Sequence, residues 1–538
     1  MVAYQKLIFC FIFLFNFFVY PNILEKELTI LHTNDMHSKL FGINQHESMC
    51  SMAQKDTDKC LGGFDRIAYK VDEIKAANKN VLVLDAGDQF QGSMFHLLYN
   101  GLVSAKLMNL VGYDAMAVGN HEFDNGPLIL SEFINELKFP ILSCNIDASQ
   151  SPELKDKIKP YTITNINNIK VGIIGFTTPD TSFLSSPGDK VKFLPLIPSI
   201  KQAIQKLQAA KVDVIIGLSH SGLIKDIEIA KQVSGMAVII SAHTNSLLSN
   251  LQPNKDGPCP MVIMAPNKKP VLLVSAYAYG KFLGYLKFSF NAKGEPTKWQ
   301  GEPILLDNTV PKKESVTKVM LDSYKPILDF EKQIVGNIPL TIDGNDCRFR
   351  ECAFGNFLAD SMLSFGKKMG ARIALVNGGG IRSSVAPGRV SNAELMDVLP
   401  FDKKLVFLKL SGQHIWQALE HGTNYVHDKK NDNTGRFLQV SGIKYVLNPT
   451  NPIGQRVISV SIQNEDKSFS ALEKTRIYPL VTNTYIANGG DDYLMFKNSL
   501  EKWTLDITMK ALVEAFLKTP HSQLPYIDGR VLKIEPKI

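Results

Sequence analysis

Apolar and polar positions fall in blocks along the chain, and the first half repeats one theme: a short apolar run, a polar cluster, then a stretch with helical spacing. The runs are ELTIL from Glu27, NVLVL from Asn80, YDAMAV from Tyr113, VDVIIGL from Val212 and MAVII from Met236. Their shortness and β-branched content predict buried strands. Between them, RIAYKVDEIKAANK and IPSIKQAIQKLQAAK carry apolar residues at helical spacing. This alternation predicts a layered α/β domain over residues 28–309. Near Val310 the texture changes, and PKKESVTKVMLDSYKPILDFEKQI reads as a charged amphipathic helix broken at Pro326. We assign residues 310–335 to this linker helix and residues 336–538, opening at Gly336, to a second, α+β domain.

The N-terminus follows another pattern. Lys6 precedes the apolar run LIFCFIFLFNFFVY, Leu7 to Tyr20, which suits a signal-peptide core and is short for a membrane span. Residues 1–24 are therefore expected to be a signal peptide, cleaved between Tyr20 and Leu28; an uncleaved anchor is the alternative. The C-terminal GRVLKIEPKI has neither the hydrophobic tail nor the small-residue acceptor of a lipid-anchored chain. A secreted, extracellular protein without a membrane anchor is expected.

At 538 residues the chain exceeds one core, and 45% hydrophobic with 21% charged residues is an ordinary globular composition. The net charge of +7 is spread without a basic run, which argues against nucleic acid as a partner. Apart from Cys10 in the leader, six cysteines remain. Cys50 and Cys60 bracket one short polar loop and Cys347 and Cys352 another, so two local disulfides fit an oxidising compartment. Pairing of Cys144 with Cys259 stays open.

The polar clusters after the apolar runs carry the chemistry. They supply in turn Asp35 and His37; Asp85 and Asp88; Asn120, His121 and Asp124; His220; and His243 with Asn245. In α/β sheets the carboxyl ends of strands share one crevice. Imidazole and carboxylate together are ligands for zinc, manganese or iron. Each cluster alone reads as a turn, and His32 as a structural histidine; five in series read as a metal site. Asp35, His37, Asp88, Asn120, His220 and His243 exceed the four ligands of one zinc. A pair of ions bridged by a carboxylate accounts for the surplus, and such pairs serve phosphoryl displacement.

In the second half, CRFREC offers Arg348 and Arg350, LVNGGGIRSS offers Asn377, three glycines and Arg382, and NTYIANGGDDYLMF offers Tyr485 and Asp491. A glycine cluster alone is a tight turn. An adjacent arginine can grip phosphate and an aromatic ring can stack on a base.

LHTNDMHS, DAGDQFQG, GNHEFDNG, LSHSG and AHTN together resemble the calcineurin-like metallophosphatase motifs of the 5'-nucleotidase family, above all animal ecto-5'-nucleotidases and secreted apyrases. The resemblance implies an N-terminal metallophosphatase domain and a C-terminal nucleotide-binding domain. It implies that Asp35 and His37 hold a first metal, Asp88 bridges, and Asn120, His220 and His243 complete a second, with Asn245 near the first. It makes His121 a donor to the phosphoryl oxygens, oriented by Asp124; a third metal ligand is the other reading of His121. Arg348, Asn377 and Arg382 would contact polar groups of the nucleotide, Asp491 the ribose, and Phe401 and Tyr485 the two faces of the base. The cofactors implied are two divalent ions, zinc first, with manganese or cobalt also suited. Nucleoside mono-, di- or triphosphates are the implied substrates. Hydrolysis of AMP to adenosine is the leading activity, apyrase action on ATP and ADP the alternative, and an inactive binding protein the remote one. Two positions depart from the family pattern. Tyr485 stands where phenylalanine is common, and Ser241–Ala242 replace a glycine pair, the latter expected to have little effect.

Overall fold

A computed structural model describes residues 25–534 except 340, 345, 402, 427–434 and 519–525. The expected signal peptide lies outside the described residues. The apolar runs form strands Lys26–Thr33, Val81–Asp85, Ala115–Ala117, Val214–His220 and Val238–Ser241, and the two helical stretches form Phe64–Ala77 and Leu196–Ala209.

These strands belong to two facing sheets. One orders Pro296–Gly301, Phe282–Phe290, Lys26–Thr33, Val81–Asp85, Ala115–Ala117 and Ile141–Leu142; the other orders Met261–Met264, Pro270–Val274, Val238–Ser241, Val214–His220, Ile169–Thr177 and Tyr161–Ile166. Side chains alternate along each strand. Leu28, Ile30, Leu82 and Leu84 therefore point inward and share one core with Ile173, Ile216, Leu218 and Ile240 of the facing sheet. Leu31 and Val83 point outward into a second core with Phe64, Ile67 and Val71 of the first helix. Burial on both faces explains why the runs are continuously apolar. The central strands run parallel, so their C-terminal ends emerge on one side.

The linker comprises helices Glu314–Tyr324 and Ile327–Lys332, with Pro326 between them. Val316, Met320 and Tyr324, at helical spacing, join the outer core of the first half. The next strand starts at Ile334, two residues before the Gly336 boundary, and pairs with Gly388–Ser391. Gly336 sits inside that strand, and a Cβ there would lie 2.8 Å from Cβ of Leu517, a close approach that glycine allows.

The C-terminal half centres on a mixed sheet ordered Leu438–Ser441, Ile373–Asn377, Ile477–Asn483, Lys404–Ser411 and Lys502–Thr508. Helix Ala353–Gly366 packs on one face, over Ala374, Val376 and Phe407; helix Gly412–Gly422 packs on the other, over Leu375, Val406 and Leu408. Ala393 and Met396 from this half join the outer core of the first half. Cys50 is joined to Cys60 and Cys347 to Cys352. Cys144 and Cys259 are free thiols. Among the described residues, no helix is long and apolar enough to cross a membrane.

Candidate metal centre and adjoining cleft

The polar clusters converge where the parallel strands end. Asp35, His37, Asp88, His243 and Asn245 all take left-handed backbone conformations, with φ of 52°, 48°, 60°, 83° and 49°. Non-glycine residues rarely adopt that region, and each instance costs on the order of 1 kcal/mol or more. Such a set, spread over separate loops, marks side chains held in place by the surrounding fold.

Asp88 is the centre. Its Oδ2 lies 3.1 Å from Nε2 of His220 and 4.0 Å from Nε2 of His37. The ligand atoms of His37, Asp88 and His121 lie within 4.8 Å of one another, and so do those of Asp88, His220 and His243. Two groups thus share one carboxylate. His37 donates Nδ1–H to the Phe90 carbonyl at 3.2 Å, and His220 donates to that of Ala86 at 2.8 Å. This turns each Nε2 towards Asp88, the orientation found in metal-ligating histidines. Oδ1 of Asn245 is buried with no hydrogen-bond partner, and Oδ1 of Asn120 sits 3.2 Å from Nε2 of His220. Imidazole nitrogens, amide oxygens and a shared carboxylate fit two divalent cations.

Asp35 stands slightly apart. Its oxygens accept from the His243 backbone N–H at 3.1 Å and from Asn34 at 2.8 Å, and it belongs to neither group. Burial raises its carboxyl to about 6. Burial alone would lower His220, but the Asp88 carboxylate outweighs it and raises His220 to about 10. Burial, with His220 beside it, lowers His243 to about 3.

Glu122, whose role no sequence pattern signals, is fully buried beneath Asp88. Its carboxylate accepts four backbone N–H groups, from Asp88, Gln89, Phe90 and Gly119, at 2.7–3.2 Å. Gly119 is required there because a Cβ would come within 2.2 Å of Oδ1 of Asp88. Asp226 is a second such anchor. One oxygen takes the hydroxyls of Ser219 and Ser221, which flank His220, and the other takes that of Ser241. Ser241, at the departure from the family's glycine pair, thus ties the strand leading to His243 to the same carboxylate that braces His220.

His121 and Asp124 form the expected pair, with Nδ1 2.7 Å from Oδ2. Burial lowers the imidazole pKa, but Asp124 and Asp88 together raise it above its usual value. The other oxygen of Asp124 accepts the hydroxyl of Ser185 at 2.6 Å. Sixty-one residues separate these two, so no local pattern signals the contact.

A cleft joins these groups to the second half; its wall includes His37, Asp88, His121 and Asn245 together with Arg348, Asn377, Arg382, Phe401, Tyr485 and Asp491. All six substrate-binding candidates therefore line one cleft with four of the metal-ligand candidates, His37, Asp88, Asn120 and His243, while Asp35 and His220 lie outside its wall; Lys403 and Asn483, which carry no sequence signal, also line it. Arg350 is instead exposed and paired with Asp346. Asn483 donates to Oδ1 of Asn377 at 3.0 Å, Asn377 to Oδ2 of Asp491 at 3.1 Å, and the Tyr485 hydroxyl to Oδ1 of Asp491 at 2.8 Å. The Phe401 ring stacks against His121, centroids 5.9 Å apart, with the Arg382 guanidinium 6.0 Å from its centroid.

Family models match both halves: "Calcineurin-like phosphoesterase" over residues 28–246 and "5'-nucleotidase, C-terminal domain" over residues 334–498. The chain is 35% identical to a 5'-nucleotidase of Diplobatis ommata over 532 residues, covering 95% of this chain and 90% of that protein. It is 35% identical to a snake venom 5'-nucleotidase of Gloydius brevicauda over 529 residues, covering 94% and 88%. The crystal structure of a 5'-nucleotidase precursor from Thermus thermophilus superposes with a TM-score of 0.88 at 34% identity, covering 95% of this chain and all of that one.

Proposed function

Because the chain belongs to the 5'-nucleotidase family of calcineurin-like phosphoesterases, we propose that it is a secreted phosphohydrolase that cleaves AMP to adenosine and phosphate. The observation that carries this reading is the single cleft lined both by members of the two Asp88-centred groups and by Arg348, Asn377, Arg382 and Asp491. Guanidinium groups grip phosphate and carboxylates accept ribose hydroxyls, so a nucleotide can span from one end to the other.

In this reading Asp35 and His37 belong to the first metal position, Asn120, His220 and His243 to the second, and Asp88 to both. Two divalent cations there, zinc by family resemblance, would activate a water and neutralise phosphoryl charge. His121 donates through Nε2 to a phosphoryl oxygen as charge builds, while Asp124 holds the Nδ1 proton and fixes the ring. Phe401 and Tyr485 offer aromatic faces to the base, and Asp491 accepts the ribose. Secretion is supported by the apolar run Leu7–Tyr20 after Lys6 and by two disulfides.

The test is phosphate release from AMP, ADP and ATP with and without EDTA. EDTA-sensitive release from AMP is the expected result. Release from ATP and ADP that stops at AMP would make the protein an apyrase, and no release with zinc or manganese supplied would make it a binding protein.

A further inference from the structure

The loop formed by the short helix Thr181–Leu184 and the serine that follows it touches both ends of the cleft. On one side Ser185 donates to Oδ1 of Asp124 at 2.6 Å, and Oδ2 of Asp124 faces Nδ1 of His121 at 2.7 Å. Both carboxylate oxygens are thus engaged, and the pair cannot rotate without breaking one bond. On the other side the Tyr485 hydroxyl, which belongs to the second half, lies 3.3 Å from the Phe183 carbonyl and 3.5 Å from that of Leu184. The same hydroxyl is 2.8 Å from Oδ1 of Asp491 and accepts from its backbone N–H at 3.2 Å, so its single proton is shared between that carboxylate and the two carbonyls. A continuous path runs from Asp491 through Tyr485 and residues 183–185 to Asp124 and His121.

We propose that Ser185 is a positioning residue for His121, acting through Asp124, and that the Tyr485 hydroxyl docks the nucleoside end of the cleft onto the same loop. Formation of the nucleoside pocket and orientation of His121 then become one event. The inference rests on the phosphohydrolase reading above and adds what couples its two halves. A phenylalanine at position 485 would supply the ring without the coupling, so the hydroxyl is the specific device.

The experiment measures kcat and KM for AMP in Ser185→Ala, Ser185→Thr, Asp124→Ala and Tyr485→Phe, with the double variants. Loss of one orienting contact is expected to lower kcat roughly tenfold in Ser185→Ala while KM stays within about twofold. Ser185→Thr, which keeps the hydroxyl, should recover most of that loss. In the Asp124→Ala background Ser185→Ala should cost nothing further, and Tyr485→Phe should add no loss to Ser185→Ala. Equal losses in both Asp124 backgrounds, or unchanged kcat in Ser185→Ala, would overturn the positioning role. Full additivity with Tyr485→Phe would overturn the coupling. If the wild type releases no phosphate from any nucleotide, the functional reading fails, and the downfield Nδ1 proton resonance of His121 decides the positioning role instead. It should vanish in Asp124→Ala and move in Ser185→Ala; a resonance unmoved by Ser185→Ala rejects the proposal.

Discussion

Ser241 donates its hydroxyl to Oδ2 of Asp226, while Oδ1 of that carboxylate takes the serines on either side of His220. One fully buried acid thus couples two strand ends that carry metal-ligand candidates. Burial raises its carboxyl to about 6, against the lowering effect of the three hydroxyls. In the unfolded chain an aspartate titrates near 3.9. Between about pH 4 and pH 6 the folded state therefore binds more protons than the unfolded state, and stability falls as pH rises through that window. Asp226→Asn removes the titration. The unfolding free energy of the wild type minus that of the variant should fall from pH 4 to pH 6 and then level off, a change on the order of 2 kcal/mol. Parallel curves would contradict the assignment.

Asp88 belongs to both ligand groups, so one substitution should damage both. In Asp88→Asn we expect turnover to fall at least about 100-fold, with bound metal reduced below that of the wild type. Elemental analysis alongside phosphate release checks this. Full metal content with lost turnover would limit Asp88 to chemistry.

Glu122 supports Asp88 from beneath through four backbone N–H groups. Glutamine is isosteric but replaces one acceptor oxygen with a donor, leaving two of those amides unpaired. Each unpaired amide costs roughly 1–3 kcal/mol. Glu122→Gln should therefore lower Tm by several degrees and weaken metal binding, measured by titration calorimetry, without any change in a group that reaches the cleft.

A Cβ on Gly378 would come within 2.0 Å of the Cys347 carbonyl. That backbone belongs to the disulfide loop that carries Arg348. Gly378→Ala should displace the loop and raise KM for AMP at least about tenfold with a smaller effect on kcat. Removing the Cys347–Cys352 bond by paired serines should destabilise the protein by about 2 kcal/mol, read from denaturant unfolding, because the closed loop is short.

Much of the fold was legible because its signals are local. The five apolar runs read as strands since each is buried on both faces, and Pro326 broke the linker where its ring forbids a continuous helix. The two disulfides were legible from spacing of ten and five residues. The close approach of Leu517 to Gly336 was not legible, because the two lie far apart in the chain.

The sequence by itself determined which strands form and which donor types stand at their ends, because side-chain alternation and residue chemistry act over a few positions. The family motifs already made Asp88 the bridging residue; only the tertiary structure decided that Nε2 of His37 and His220 both face it, and that Arg382 and Asp491 line one cleft with it. It also decided the contact of Ser185 with Asp124 and of Ser241 with Asp226. These depend on left-handed loop conformations and on close packing of distant segments, which no short-range pattern encodes.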